Sequence, residues 1–392
     1  MKTMLFCYVQ EMKVELSNWA MYLAQLPQDF IIAPLIRLKD KMSCKEAISQ
    51  LSKTSKNISV DPIYLKSPDS RFRNILNLKM LLSDFNSLFK VIKRSKPDVV
   101  VCFYVLHAYP LVVLKKIFKF SLCVVAMGSD VNLENSLLHK VAKTFIYNNC
   151  ELIFAVSWKL KEKIEKEHDC NVIVVPGSTD PSFYRPLNSK ITLRRKWGMK
   201  LRSRLILTVC RLDKNKGVDV LIKSLGMLNS NDIDLLIVGD GVEEKALKEL
   251  SSALGVQENV VFLGFRNRKE LLELYNLANL FALASYSEGL PRVLIEAMAC
   301  GCIPIATDVG DVAAVVVDGV NGFIVNPGDY EEFAERIKET LSLAQEKTKL
   351  IQTRARRTVK YDFDSRKVIK KMFDSINALY LSRNKSTPKA KK

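Results

Sequence analysis

Short β-rich apolar runs alternate with longer stretches of helical periodicity along most of the chain, and few folds other than parallel α/β sheets accommodate that alternation. The pattern predicts strands over residues 4–9, 30–34, 98–104, 122–126 and 152–156, separated by helices that include residues 14–26 and 75–94. One more strand, near 172–175, runs into Pro176-Gly177, Pro181 and Pro186, a breaker-rich stretch that reads as a linker. The alternation then restarts over 205–210 and continues through 235–238, 260–263, 280–284 and 303–306. Two Rossmann-like, doubly wound domains are expected, residues 1–185 and 186–362. A helix over 363–381 is expected to return to the first of them, ahead of a lysine-rich tail, 382–392, that reads as disordered.

At 392 residues the chain exceeds what one hydrophobic core usually supports, which agrees with two domains. The greasy run from Leu111 to Met127 is interrupted by Lys115, Lys116 and Lys119, so no membrane-crossing helix is expected. The amino terminus lacks the cleavage site of a secretory signal and reads as a first strand. The nine cysteines contain no C-x-x-C pair, and His107, His139 and His168 share no ligand spacing with them, which argues for free thiols in a cytoplasmic chain without structural zinc. The net charge of +18 attracts anions. No zinc-finger, RNP-like or basic heptad pattern accompanies it, so nucleic acid is not expected as a partner. Lys115-Lys116-Ile117-Phe118-Lys119-Phe120 mixes cations with aromatic rings as interfacial segments do, and a peripheral contact with an anionic membrane is one reading; a solvated helix end is the other.

The chemistry concentrates in the second half. Ser285-Tyr286-Ser287-Glu288-Gly289-Leu290-Pro291-Arg292-Val293-Leu294-Ile295-Glu296 follows a predicted strand and opens a helix at Gly289 to Pro291. Such a start offers backbone N–H groups and positive dipole to a diphosphate. Glu296 is a carboxylate on an otherwise apolar helix, and the vicinal hydroxyls of a ribose would satisfy both of its oxygens. Arg211 and Lys216 lie in the loop beyond residues 205–210, a guanidinium fork and a mobile point charge suited to phosphate. Gly239-Asp240-Gly241 lacks the third glycine of a dinucleotide fingerprint and reads as a tight turn beside the nucleotide.

These residues resemble the retaining GT-B glycosyltransferases with an E-x7-E signature, the glycosyl transferases group 1, which Glu288 and Glu296 match in spacing. The likeness extends to Arg211–Gly217, Val238-Gly239-Asp240-Gly241, Phe262-Leu263-Gly264-Phe265 and Asn321-Gly322-Phe323-Ile324-Val325. It implies two Rossmann-like domains facing a cleft and metal-independent transfer of a hexose from a UDP- or GDP-type sugar to a glycan, lipid-linked or small-molecule acceptor. It implies catalytic roles for Glu288, Arg211 and Lys216. Donor contacts would come from Arg211, Lys216, Gly239, Phe265, Gly289, Leu290, Pro291, Val293 and Glu296, and acceptor contacts from Gln10, Glu11, Gly128 and Asp130. No cofactor and no metal are implied. The chain departs from the family where Gln10-Glu11-Met12-Lys13 replaces a glycine-rich loop, Met127 replaces a histidine, and Gly310-Asp311-Val312-Ala313-Ala314 replaces a Gly-Gly-x-x-Glu segment. A sugar-nucleotide-binding protein with reduced or no catalysis would tolerate those changes, and a basic nucleic-acid-binding protein ranks below it.

Overall fold

The computed structural model describes residues 3–9, 29–37, 58–60, 63–65, 78–127, 131, 137–187 and 189–386. They form two units, Met1–Pro176 with Val368–Lys392, and Gly177–Lys367.

In the first unit the strands are β1 (Thr3–Val9), β2 (Asp29–Arg37), β3 (Ile58–Val60), β4 (Ile63–Leu65), β5 (Val99–Phe103), β6 (Ser121–Ala126), β7 (Leu152–Ala155) and β8 (Val172–Val174). All pair in parallel, in the order β3-β2-β1-β5-β6-β7-β8, with β4 beside β2. The described helices between them are α1 (Leu78–Ser95), α2 (Tyr109–Phe118), α3 (Leu137–Tyr147) and α4 (Trp158–Glu167). β5 and β6 are buried at every residue, which is why residues 99–103 and 122–126 are continuous apolar runs and not alternating ones. The predicted strands thus coincide with observed ones to within a residue or two at most ends. β3, β4 and a later three-residue strand were not expected, whereas β8, equally short, was. The predicted helix over 14–26 lies outside the described residues.

The second unit has β9 (Arg204–Val209), β10 (Ile233–Val238), β11 (Val260–Gly264), β12 (Leu280–Leu283), β13 (Ile303–Thr307) and β14 (Phe323–Val325), in the parallel order β11-β10-β9-β12-β13-β14. Its helices are α5 (Lys190–Lys196), α6 (Val218–Leu228), α7 (Glu244–Ala253), α8 (Arg268–Leu277), α9 (Arg292–Ala299), α10 (Tyr330–Ser342) and α11 (Gln345–Asp362). Apolar clusters line both faces of this sheet, one built on Leu207, Leu236 and Phe281, the other on Ile206, Ile237 and Ala282.

The chain passes from the first unit to the second at Pro176/Gly177, earlier than the expected boundary at residue 185. A local pairing accounts for the position. The Thr179 N–H donates to the Phe363 carbonyl at 3.0 Å, and the Ser365 N–H donates to the Thr179 carbonyl at 2.8 Å, so the outgoing and returning segments are bonded to each other. The last helix, α12 (Ser365–Ser386), then places Val368, Ile369, Met372, Phe373 and Ile376 in one apolar cluster with Val99, Val101, Cys123, Val125 and Phe154 of the first sheet. It continues past residue 382, where a disordered tail was expected to begin; residues 387–392 lie outside the described part.

The stretch 115–120 differs from its reading as an interfacial segment. Lys115 is taken up by the Glu151 carboxylate (2.8 Å) and the Asn149 carbonyl (2.6 Å); Glu151, just before β7, is held beside β6 by the Leu122 N–H, which donates to its carboxylate at 2.8 Å. Phe120 is 1% exposed and belongs to the core. Among the described residues no helix is long and apolar enough to cross a membrane.

Truncating Phe373, which is 2% exposed, leaves a cavity against the first sheet. Phe373→Ala is expected to cost about 3–5 kcal/mol, and hydrogen exchange should then show faster opening of β5 and β6, with the protection of β9 and β12 unchanged.

Candidate functional site

Parallel strands deliver all their following loops to one edge. In the second sheet successive connections run outward from β9 in one direction and from β12 in the other, so the loops after these adjacent strands flank a crevice at the carboxyl edge. The loop after β9 carries Arg211 and Lys216; the loop after β12 carries Glu288.

Lys216 ends a single 3-10 turn opened by Asp213, whose carboxylate accepts from the Asn215 N–H at 3.1 Å. Gly217 follows in the left-handed region, φ +60°, and a Cβ there would sit 2.0 Å from the Ala284 carbonyl oxygen, so only glycine lets this loop press onto the end of β12. Two bonds hold it there: the Tyr286 N–H donates to the Asn215 carbonyl (2.8 Å), and the Asn215 amide donates to the Ser287 carbonyl (3.0 Å). The consequence is a contact of 2.8 Å between Lys216 Nζ and Glu288 Oε1, with side chains only 16% and 13% exposed. The Ser285 hydroxyl donates to the same carboxylate oxygen at 2.7 Å. A third loop, after β13, supports the arrangement from below. The Thr307 hydroxyl donates to the Ser285 carbonyl (2.6 Å), the Asp311 N–H donates to the Gly289 carbonyl (2.8 Å), and a Cβ on Gly310 (φ +56°) would lie 2.2 Å from the Glu288 carbonyl oxygen.

Arg211 is not drawn into this contact. Its side chain is 81% exposed and meets Asp213 at 3.2 Å. Gly289 is exposed and Leu290 half-buried, while Pro291 is the N-cap of α9, whose first turn has no side-chain cap. Its leading N–H groups retain the anion affinity of an uncapped helix start. Val293 is half-buried in that first turn, and Glu296, one turn further, is 7% exposed. The Tyr275 hydroxyl donates to Glu296 Oε2 at 3.1 Å, so one of the two oxygens expected to await a sugar already has a protein donor. Burial pushes the Glu296 carboxyl above its ordinary 4.5, while Arg292, Tyr275, Arg268 and Tyr184 act in the opposite direction. Gly239 donates its N–H to the Gly264 carbonyl (3.0 Å), bringing the loops after β10 and β11 side by side; they display Val242, 88% exposed, and Phe265, 74% exposed.

The four acceptor-side residues, Gln10, Glu11, Gly128 and Asp130, lie outside the described part. Met127 is half-buried against the apolar cluster beneath α12. Tyr104 stands at the end of β5, where the first sheet has its own reversal between β1 and β5, and holds φ +69°, ψ 119°. No sequence signal marks that strained tyrosine. Ser285 and Tyr275 also went unsingled: each hydroxyl needs its carboxylate neighbour in space, which periodicity does not supply. Among the described residues no cluster of three or more His, Cys, Asp or Glu side chains is arranged to hold a metal ion.

Residues 189–357 match the family described as glycosyl transferases group 1. Over these residues the second unit is similar to the group 1 glycosyltransferases. Similar proteins include an uncharacterized glycosyltransferase of Methanocaldococcus jannaschii, 30% identical over 53% of this chain and 55% of that protein. A D-inositol 3-phosphate glycosyltransferase of Corynebacterium aurimucosum is 32% identical over 44% of this chain and 43% of that protein. The chain thus spans about half the length of the curated relatives it matches. Likeness of fold reaches further. A glycosyltransferase from Rickettsia africae superimposes with a TM-score of 0.82 at 20% identity, covering 98% of this chain and 99% of that one. An Anabaena protein solved in complex with UDP-glucose gives 0.76 at 20% identity, covering 96% and 100%. The chain has the GT-B fold, with a parallel α/β sheet in each unit.

In the second unit two substitutions separate support from contact. Gly310→Ala should displace the Glu288 loop and abolish nucleotide-induced thermal stabilisation while the domain still melts cooperatively; undiminished stabilisation would contradict the packing described. Glu296→Gln tests the buried carboxylate. A carboxyl whose folded pKa is raised contributes stability below its unfolded value and loses it as pH rises through the folded one. The wild type should therefore lose stability relative to the glutamine variant as pH rises from about 4.5, and the two should converge below it. Urea unfolding across that range measures the difference.

Proposed function

We propose that the chain is a retaining glycosyltransferase that moves a hexose from a UDP- or GDP-type sugar to a glycan or lipid-linked acceptor, using its own cations in place of a metal ion. The observation that carries this reading is the semi-buried Lys216–Glu288 contact at the strand-order reversal, beside the uncapped start of α9. A nucleoside diphosphate sugar is further supported by the UDP-glucose complex of the Anabaena protein of like fold.

In the proposed reaction, the bond between the anomeric carbon and the donor's phosphate oxygen breaks with its electron pair passing to the phosphate. Charge grows on that oxygen, and Lys216, Arg211 and the first-turn N–H groups of α9 stabilise it more in the transition state than in the ground state. The acceptor hydroxyl attacks from the side the phosphate leaves, and its proton passes to the departing phosphate, which preserves the anomeric configuration. Glu288 accepts from a hydroxyl of the donor sugar and holds Lys216 in place. Glu296, steadied by Tyr275, accepts from the ribose, a contact present in both ground and transition states. Phe265 offers the base an exposed ring, and Gly239, Leu290 and Val293 line the same edge. We assign the reaction to a reducing cytoplasm, supported by the seven described cysteines, all free thiols.

Lys216→Ala is expected to lower kcat by roughly 10²–10³ with a smaller change in KM, whereas Glu296→Ala should raise KM and spare kcat. EDTA should leave turnover unchanged. Proton NMR of the product should show the donor's anomeric configuration, and an inverted product would overturn the mechanism. Tight nucleotide-sugar binding without turnover on any acceptor would favour the binding-only reading that Met127 and the segment 10–13 suggest.

A further inference from the structure

The first unit holds a half-open cavity of about 570 Å³ at the edge opposite the one where such sheets take their substrates. It opens where α1 leads into β5 and α2 leads into β6, at the amino ends of those strands. Lys93, Lys96, Lys119 and Arg383 line it with Ser121 and a single carboxylate, Asp98, so four cationic side chains face one anionic one. Arg383, from α12, is fastened to the rim: its guanidinium donates to the Ser121 hydroxyl (2.8 Å) and to the Lys119 carbonyl (3.1 Å). Lys96 and Lys119 are both exposed and both stand at positive φ, +44° and +57°, where the chain reverses out of a helix. Among the described residues neither makes an ion pair. Lys93 is exposed, and its ammonium lies 6.0 Å from the centre of the Phe89 ring.

A ring of like charges on a concave surface is held together at a cost in mutual repulsion, which an anion relieves. The surface beside the cavity identifies which anion. On α2, Val113 and Ile117 lie one turn apart on the same outward face, 39% and 56% exposed, with Lys116 exposed between them and Lys119 at the cavity mouth. Exposed aliphatic side chains bordered by lysines suit the interface of a membrane, where apolar groups enter the acyl boundary and cations meet phosphates. A dissolved phosphate compound would gain nothing from Val113 and Ile117.

We propose that this cavity is a second anion site, one that takes the phosphate of an anionic membrane lipid, with Val113 and Ile117 dipping into the surface beside it. Of the stretch 115–120 only Lys116, Ile117 and Lys119 serve this surface, since Lys115 and Phe120 are committed to the protein interior. It is independent of the donor site in the second unit.

The test is co-sedimentation of the full chain with phosphatidylcholine vesicles with and without phosphatidylglycerol. Wild type should pellet only with the acidic vesicles and be released by salt. The variant Lys93→Glu, Lys96→Glu, Lys119→Glu should bind roughly tenfold or more weakly. A charge-matched control, Lys338→Glu, Lys347→Glu, Lys349→Glu, should bind like wild type; equal losses in the two would reduce the effect to net charge and overturn the site. Ile117→Ser should weaken vesicle binding without altering the thermal melt. Calorimetry with inorganic phosphate and glycerol 3-phosphate forms the other arm. Binding there that the pocket variant abolishes, with no vesicle binding by wild type, would assign the cavity to a soluble phosphate and overturn the membrane proposal. Unchanged vesicle binding by the pocket variant would overturn it as well.

Discussion

All strands of a parallel sheet point one way, and this single directional constraint gathers the ends of β9, β12 and β13 along one edge of the second unit. The site depends on how closely the three loops that follow can approach. Backbone-to-backbone contacts at Gly217 and Gly310 bring carbonyl groups to where a methyl group would otherwise lie, and side chains well separated in sequence become neighbours. Lys216 and Glu288 then share an environment too dry for either alone. Removing one partner leaves the other poorly solvated, so the pair is best regarded as one unit.

The same edge holds a group that opposes folding. Glu296 occupies a position on α9 where an apolar residue would pack among Ile295, Ala297 and Met298. Its burial raises the free energy of its charged form, and the Tyr275 hydroxyl compensates only in part. A buried acid whose neighbours, Arg292, Tyr275, Arg268 and Tyr184, offset its burial only in part is the kind of perturbed group that functional sites often hold. Stability lost at such a position is a recurrent companion of binding sites.

Much of the fold was legible because strands buried on both faces are written as unbroken apolar runs, as in Val99–Phe103 and residues 235–238. The restart after Pro176 and the single-residue precision at β6 and β13 follow from the same property. What escaped was whatever depends on three-dimensional neighbours. The pairing of Thr179 with the segment around Asp364 moved the boundary, and nothing local announces it. Lys115 looked solvated because Glu151 is thirty-odd residues away in sequence. In the site, Glu288, Lys216 and Glu296 stood out by residue type and spacing. The hydroxyl groups that orient them did not, since serine and tyrosine are unremarkable until their partners are known.

The last helix belongs to the unit that begins the chain, while Gly177–Lys367 is continuous. During synthesis the middle of the polypeptide can complete its own sheet as soon as it clears the ribosome. The opening segment, although made first, must wait with one face of β5 and β6 uncovered until Val368 to Ile376 emerge. For the intervening period that apolar face is open to chaperones and to other nascent chains. The order of translation and the order of folding are thereby inverted, and a ribosome that stalls after the second unit releases a product whose later-made half is finished and whose earlier-made half is not.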